Sequence, residues 1–205
     1  MRALTNEYGI LLIFDEVLTG FRLALGGAQE YFGVVPDLAS FAKAMANGYP
    51  ISTYTGKRQY MEKLNDFVLT TTYAGETLSM AAAIATIKLM RREKVHRHIW
   101  KMGKRLMDGL NSIATDLGIE AHSAGIPVGS FLKFATADEQ KNERLDFLFR
   151  RELYRKGIFA SVRWYISYSH KEKDIDETLD RSRIALKRAL DAEVKEKDIV
   201  PVPPT

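Results

Sequence analysis

The chain has no cysteine in its 205 residues, which excludes a disulfide framework and any thiolate metal site, and is compatible with a reducing compartment. Its four histidines, His96, His98, His122 and His170, lack metal-ligand spacing with acidic partners. Two residues apart, His96 and His98 would not share one helix face. Long apolar runs are also missing. The stretch near the start is far shorter than a membrane span, and Met1 is not followed by a signal-peptide pattern. These absences point to a soluble, cytoplasmic protein with no membrane partner. No internal repeat or low-complexity segment occurs. No phosphate loop of the form G-x-x-x-x-G-K-[ST] is present, because Gly56-Lys57 lacks both the preceding glycine and the following hydroxyl.

Charge of one sign is in mild excess, with a formal net charge of +4. The densest basic stretch, Lys88 to Arg105, is interrupted by Leu89, Met90, Val95, Ile99, Trp100 and Met102 at roughly helical spacing, as expected of a solvated helix with one buried face. No nucleic-acid-binding motif accompanies it, so no nucleic-acid partner is expected. An apolar content of 46% marks a globular chain, and its length suits one domain or one domain with a smaller appendage.

The most informative stretch runs from Ile10 to Lys43. Five apolar residues, Ile10-Leu11-Leu12-Ile13-Phe14, follow the breaker Gly9 and lead directly into Asp15-Glu16. This pattern suits a strand buried on both faces of a parallel sheet, with its carboxyl end in a ligand crevice. A second short strand, Leu38 to Phe41, precedes Lys43. A lysine in apolar surroundings is partly neutral and able to attack a carbonyl. An acid and an amine at the mouths of two strands meet the needs of pyridoxal 5'-phosphate (PLP): the acid keeps the pyridine nitrogen protonated, and the amine holds the aldehyde. The same residues also match the Walker B pattern of nucleoside triphosphatases, in which the carboxylates serve a magnesium ion, and that reading lacks its phosphate loop. A purely structural aspartate and a surface lysine are the plain alternatives.

Along the chain, Met1 to Tyr8 reads as the end of a helix closed by Gly9, and Ile10 to Phe14 as a central strand. Gly20 to Gly33 reads as an active-site loop with a helical piece at Ala28 to Phe32. Further strands are expected at Ile51 to Tyr54, Val68 to Thr72, Gly129 to Phe134 and Trp164 to Tyr168. Helices are expected at Arg58 to Leu64, Leu78 to Met90, Val95 to Leu117 and Arg144 to Lys156, and Leu78 to Met90 is apolar enough to be buried nearly all round. The last helix has a capping box in Asp174 and Glu177 and an apolar stripe of Ile175, Leu179, Leu186, Leu190 and Val194. Thr70 to Glu76 places hydroxyls and amides at a helix start, which suits phosphate but also a plain cap. Arg163, beside a predicted strand, is either a surface arginine or a bidentate partner for a substrate carboxylate.

Several spaced motifs occur in order: Asp15-Glu16-Val17, Thr19-Gly20-Phe21-Arg22, Ala28-Gln29-Glu30-Tyr31-Phe32-Gly33-Val34-Val35-Pro36-Asp37-Leu38, Lys43 and Asn47-Gly48-Tyr49-Pro50. Together they resemble the class III aminotransferases of PLP fold type I, in the branch that includes glutamate-1-semialdehyde aminomutase, from Met1 to about Leu190. The resemblance implies an α/β fold in which residues 1–92 form the C-terminal part of the PLP-binding large domain, a parallel or mixed sheet with flanking helices. Residues 93–205 then form a small C-terminal α/β domain. It also implies Lys43 as the Schiff-base lysine, Asp15 on the ring nitrogen, Val17 on the ring face, and Thr72 reaching the cofactor phosphate of a neighbouring subunit in a homodimer with shared active sites. The expected substrates are a small-molecule amino donor and a carbonyl acceptor. Aminomutation of a semialdehyde, or a dimerising fragment without catalysis of its own, are the alternatives. Members of the family are roughly twice as long. Met1-Arg2-Ala3-Leu4 looks like the middle of a helix, so the chain is expected to be a fragment lacking the glycine-rich phosphate turn and the stacked aromatic. Leu18 stands where many relatives have glutamine.

Overall fold

The structure is a computed structural model that describes residues 1–67 and 72–196. They divide into two compact units, one from Met1 to His96 and a second that begins at Arg97.

In the first unit, α1 (Arg2–Glu7) ends at Gly9, whose φ of +63° gives the left-handed turn that stops the helix. The chain then enters β1 (Ile13–Glu16), passes a loop to α2 (Gly27–Phe32), and returns in β2 (Leu38–Phe41), β3 (Thr53–Gly56) and α3 (Arg58–Met61). A long helix, α4 (Thr77–Arg92), follows. The sheet is mixed, in the order β1-β2-β3. β1 and β2 run parallel, with Asp15 opposite Ser40 and Glu16 opposite Phe41, and β2 and β3 run antiparallel. The core gathers Ala39, Phe41, Met45, Ala46 and Ala83, with Phe14, Phe21 and Ile51 packed against it.

One buried carboxylate organises this sheet. Asp37 accepts hydrogen bonds from the Leu12 amide at 2.8 Å and Arg2 Nη1 at 2.9 Å, and Lys57 Nζ lies 2.7 Å from its other oxygen. It thereby ties α1, the approach to β1, the start of β2 and the end of β3 to one point.

The second unit starts within α5 (Val95–Asp116), which is stopped near Gly118 at φ +63°. A hairpin of β4 (Ala121–Ile126) and β5 (Gly129–Phe134) follows, then α6 (Glu139–Arg155) and α7 (Glu172–Glu196). Met102, Leu106 and Leu110 of α5, Leu145, Leu148 and Leu153 of α6, and Leu186 of α7 are almost wholly buried, in the spacing of amphipathic helices. Bidentate hydrogen bonds from Arg105 to Asp176, at 2.7 and 2.9 Å, join α5 to α7.

Several expectations need correction. The strand expected at residues 10–14 lies at 13–16, and β1 is not buried on both faces. Ile13 is 61% exposed because β1 is an edge strand, and no layer covers that face among the described residues. The helix expected to be buried nearly all round, α4, buries only Ser79 and Ala83 and leaves Leu78, Met80, Ile84 and Leu89 exposed. Residues 164–168 form no strand, only a single bridge from Trp164 to Ser130. β4 was not anticipated. The expected strand at 68–72 lies outside the described residues, apart from Thr72 in a turn. Asp174 sits one turn position inside α7 and reaches back to the Lys171 amide at 2.8 Å, so it is the returning half of a capping arrangement, not its first residue. No helix among the described residues is long and apolar enough to cross a membrane.

The contacts of Asp37, from Lys57 first and then the Leu12 amide and Arg2, hold its carboxyl far below the ordinary carboxylate range. A lowered folded-state value means that the stabilisation is complete above the unfolded value and disappears as the pH falls. The stability of the first unit against urea should therefore fall progressively below about pH 4. Asp37→Asn should be less stable at neutral pH and show a flatter acid limb, and an unchanged acid limb in that variant would remove Asp37 from this role.

Candidate active site

The loops that leave the carboxyl ends of β1 and β2 lie side by side, because the two strands are parallel neighbours in register. Side chains alternate along a strand. In β1, Asp15 is exposed on the open face while Glu16 is fully buried on the other. Asp15 Oδ1 accepts a hydrogen bond from the Val17 amide at 2.9 Å, which folds the chain end of β1 and leaves its second oxygen facing out. Val17 is half-buried.

Lys43 follows β2 at the first position of a 3₁₀ turn, Lys43–Met45. Its neighbours Phe41, Met45 and Ala46 are buried, and Lys43 itself is exposed. The apolar surroundings expected for its amine are thus a buried ridge from which the side chain projects. Lys43 has φ +44°, a left-handed conformation that is uncommon for a residue with a Cβ. Phe21 and Asn47 share it, at +58° and +49°. Three of the four left-handed non-glycine residues among those described therefore fall in the loops after β1 and β2. Such strain, on the order of 1 to 3 kcal/mol per residue, gathers at ligand-binding loops where surrounding contacts enforce it.

Those contacts are specific. Phe21 packs edge-on against Phe41, with ring centroids 5.8 Å apart and planes at 60°. The Phe21 carbonyl accepts a hydrogen bond from His96 Nε2 at 2.9 Å. Gly20 is close-packed: a Cβ there would lie 2.4 Å from the Phe41 ring and 2.6 Å from the Glu16 carbonyl oxygen.

Thr72 is exposed in the turn before α4. At the α4 start two of the amides expected to be free are taken, because Glu76 caps it and accepts from the Leu78 and Ser79 amides at 2.6 and 2.7 Å. Hydrogen bonds from Ser79 and from the Leu78 amide lower the Glu76 pKa.

In the second unit Arg163 is exposed. It donates from Nη1 to the Gly129 carbonyl at 3.1 Å and lies over the Phe131 ring at 4.9 Å. Among the described residues no cluster of His, Cys, Asp or Glu is arranged to hold a metal. Glu16 and Asp37 were not singled out from the sequence as structural pins. The usable signal was alternation from Asp15 for Glu16, and an acid immediately before a strand for Asp37.

The profile of the family described as aminotransferase class-III matches residues 1–186. The glutamate-1-semialdehyde 2,1-aminomutase of Desulfitobacterium hafniense is 40% identical over 202 residues, covering 91% of this chain and 47% of that protein. The 3-aminobutyryl-CoA aminotransferase of Cloacimonas acidaminovorans is 35% identical over 198 residues, covering 95% of this chain and 47% of that protein. The chain thus spans about half the length of the curated relatives it matches. Among solved structures, the PLP internal aldimine form of the FumI protein of Sphingopyxis sp. MTA144 superposes with a TM-score of 0.87 at 26% identity, over 98% of this chain and 47% of that one. An omega-transaminase from Sphaerobacter thermophilus gives a TM-score of 0.82 at 22% identity, over 92% and 47%. The fold is that of the fold type I PLP-dependent transaminases.

Gly20→Ala should destabilise the first unit by roughly 1 to 3 kcal/mol through overpacking against Phe41. Chemical unfolding measures this, and a variant as stable as the parent would contradict the close approach.

Proposed function

We propose, for a chain that belongs to the class-III aminotransferase family, that it carries the lysine and acid of a PLP site for moving an amino group between an amino acid and a carbonyl compound. The observation that carries this reading is the pairing of β1 with β2, which brings Asp15 and Lys43 to adjacent loop mouths on parallel strands. The donor set suits the group: an outward carboxylate for a protonated ring nitrogen, an outward amine for an aldehyde, and Val17 as an apolar contact for the ring. PLP supplies an aldehyde that carries the amino group and a ring that takes up electrons. Lys43 Nζ would hold the aldehyde end and, when free, accept and return a proton. The free oxygen of Asp15 would hold the proton on the ring nitrogen. Residues 1–92 are read as part of the cofactor-binding domain and 93–205 as the small domain, a division close to the one between His96 and Arg97. Aminomutation within a single molecule uses the same residues.

Thr72 is read as a phosphate contact to the neighbouring subunit of a homodimer. Support comes from its exposure and from the bare apolar side chains of Tyr73, Leu78, Met80 and Ile84 beside it, which a second copy would cover. A cytoplasmic location agrees with the absence of cysteine. A second reading, a dimerising fragment without catalysis of its own, is favoured by one observation: Glu76 already occupies the Leu78 and Ser79 amides at the α4 start, two of the donors that a phosphate there would use.

Borohydride reduction in the presence of PLP, followed by peptide mapping, should place the label on Lys43 and lose it in Lys43→Ala. Asp15→Ala should weaken PLP binding by about ten- to a hundredfold, the loss of one charge-assisted hydrogen bond of roughly 1.5 to 3 kcal/mol. A label spread evenly over surface lysines would sink the catalytic reading and leave the dimerising fragment.

A further inference from the structure

We infer that Glu16 is a positioning residue that holds both Asp15 and Lys43 in place, an assignment that rests on the PLP reading of those two residues. Glu16 has no exposed surface. Its carboxylate is engaged by three donors: Oε2 accepts from Thr19 Oγ1 at 2.6 Å and the Ala28 amide at 2.7 Å, and Oε1 accepts from the Gln29 amide at 3.0 Å. Its backbone carbonyl accepts from the Gly20 amide at 2.9 Å. The loop that leaves β1 at Val17 therefore starts and finishes on a single residue. Gly27, at φ +75°, allows this closure. A Cβ at that position would lie 2.5 Å from Glu16 Oε2, so a side chain would push the α2 backbone off the carboxylate.

The closure reaches both assigned residues. Glu16 lies between Asp15 and Val17, so fixing its side chain inward fixes Asp15 outward by strand alternation. The loop it closes carries Phe21, whose ring rests on Phe41. Phe41 is the register partner of Glu16 across the β1–β2 pair and stands two residues before Lys43. One inward carboxylate thus sets the ends of both strands, although it lies on the face opposite the acid it orients.

The test uses the full chain with Glu16→Gln and the milder Thr19→Val. Without cofactor, hydrogen exchange at the Ala28 and Gln29 amides should speed up in Glu16→Gln by about ten- to a hundredfold, as expected for loss of one hydrogen bond to a charge. With PLP and borohydride, the preference for Lys43 over the other lysines should fall by about tenfold in Glu16→Gln and by less in Thr19→Val, with circular dichroism matching the parent. A merely structural role would leave the labelling preference of the folded fraction unchanged. Wild-type preference for Lys43 in folded Glu16→Gln overturns the assignment. If that variant does not fold, wild-type preference in Thr19→Val overturns it instead. Failure of the parent chain itself to favour Lys43 removes the functional reading, and with it this assignment, so the two failures are distinguished by the parent sample alone.

Discussion

The buried carboxylate of Asp37 is the constraint on which the first unit depends. A charge in that position is stable only if its neighbours neutralise it, and here an amide, a guanidinium and an ammonium converge on its two oxygens. Because those donors come from three different segments, satisfying the charge also fixes how those segments meet the start of β2. The hydrogen bonds from Asp37 N and Leu38 N to the Leu12 carbonyl then set the parallel register of β1 against β2. Everything proposed for the site follows from that register, since a one-residue slip would turn Asp15 inward and Glu16 outward.

The division of labour between the two adjacent acids is a consequence of the same geometry. Asp15 and Glu16 are chemically similar, and the strand gives them opposite environments. The outward acid keeps one oxygen free after bonding the Val17 amide. The inward acid spends its oxygens on the loop and on the start of α2, where amide donors favour a negative charge. The strain at Phe21 and Lys43 is held by this packing, with Gly20 leaving the room that the Phe41 ring fills.

Much of this was legible in the sequence because its signals are local. β2 at 38–41, β5 at 129–134 and the glycine stop at Gly9 need only short-range pattern and φ > 0. Other features depend on partners distant in the chain. The apolar run from Ile10 signals a strand, but where the ladder begins is decided by Asp37 and β2, so the strand lies three residues later. β4 reads Ala-His-Ser-Ala-Gly-Ile, small and polar, and becomes a strand only because β5 pairs with it along its whole length. Trp164 to Tyr168 has strong β-formers, yet only Trp164 finds a partner. The apolar composition of α4 implied burial, and composition alone does not say what covers a helix. Glu16 was legible only as the neighbour of Asp15, because its three donors lie up to 13 residues away.

If Asp15 and Lys43 grip opposite ends of one cofactor, a crystal structure of the chain grown with PLP should show electron density continuous from Lys43 Nζ to the cofactor. The ring nitrogen should lie within hydrogen-bonding distance of an Asp15 oxygen, with Glu16 still turned inward onto Ala28 and Gln29. Cofactor joined to a different lysine, or a ring nitrogen facing no carboxylate while Lys43 stays free, would contradict it.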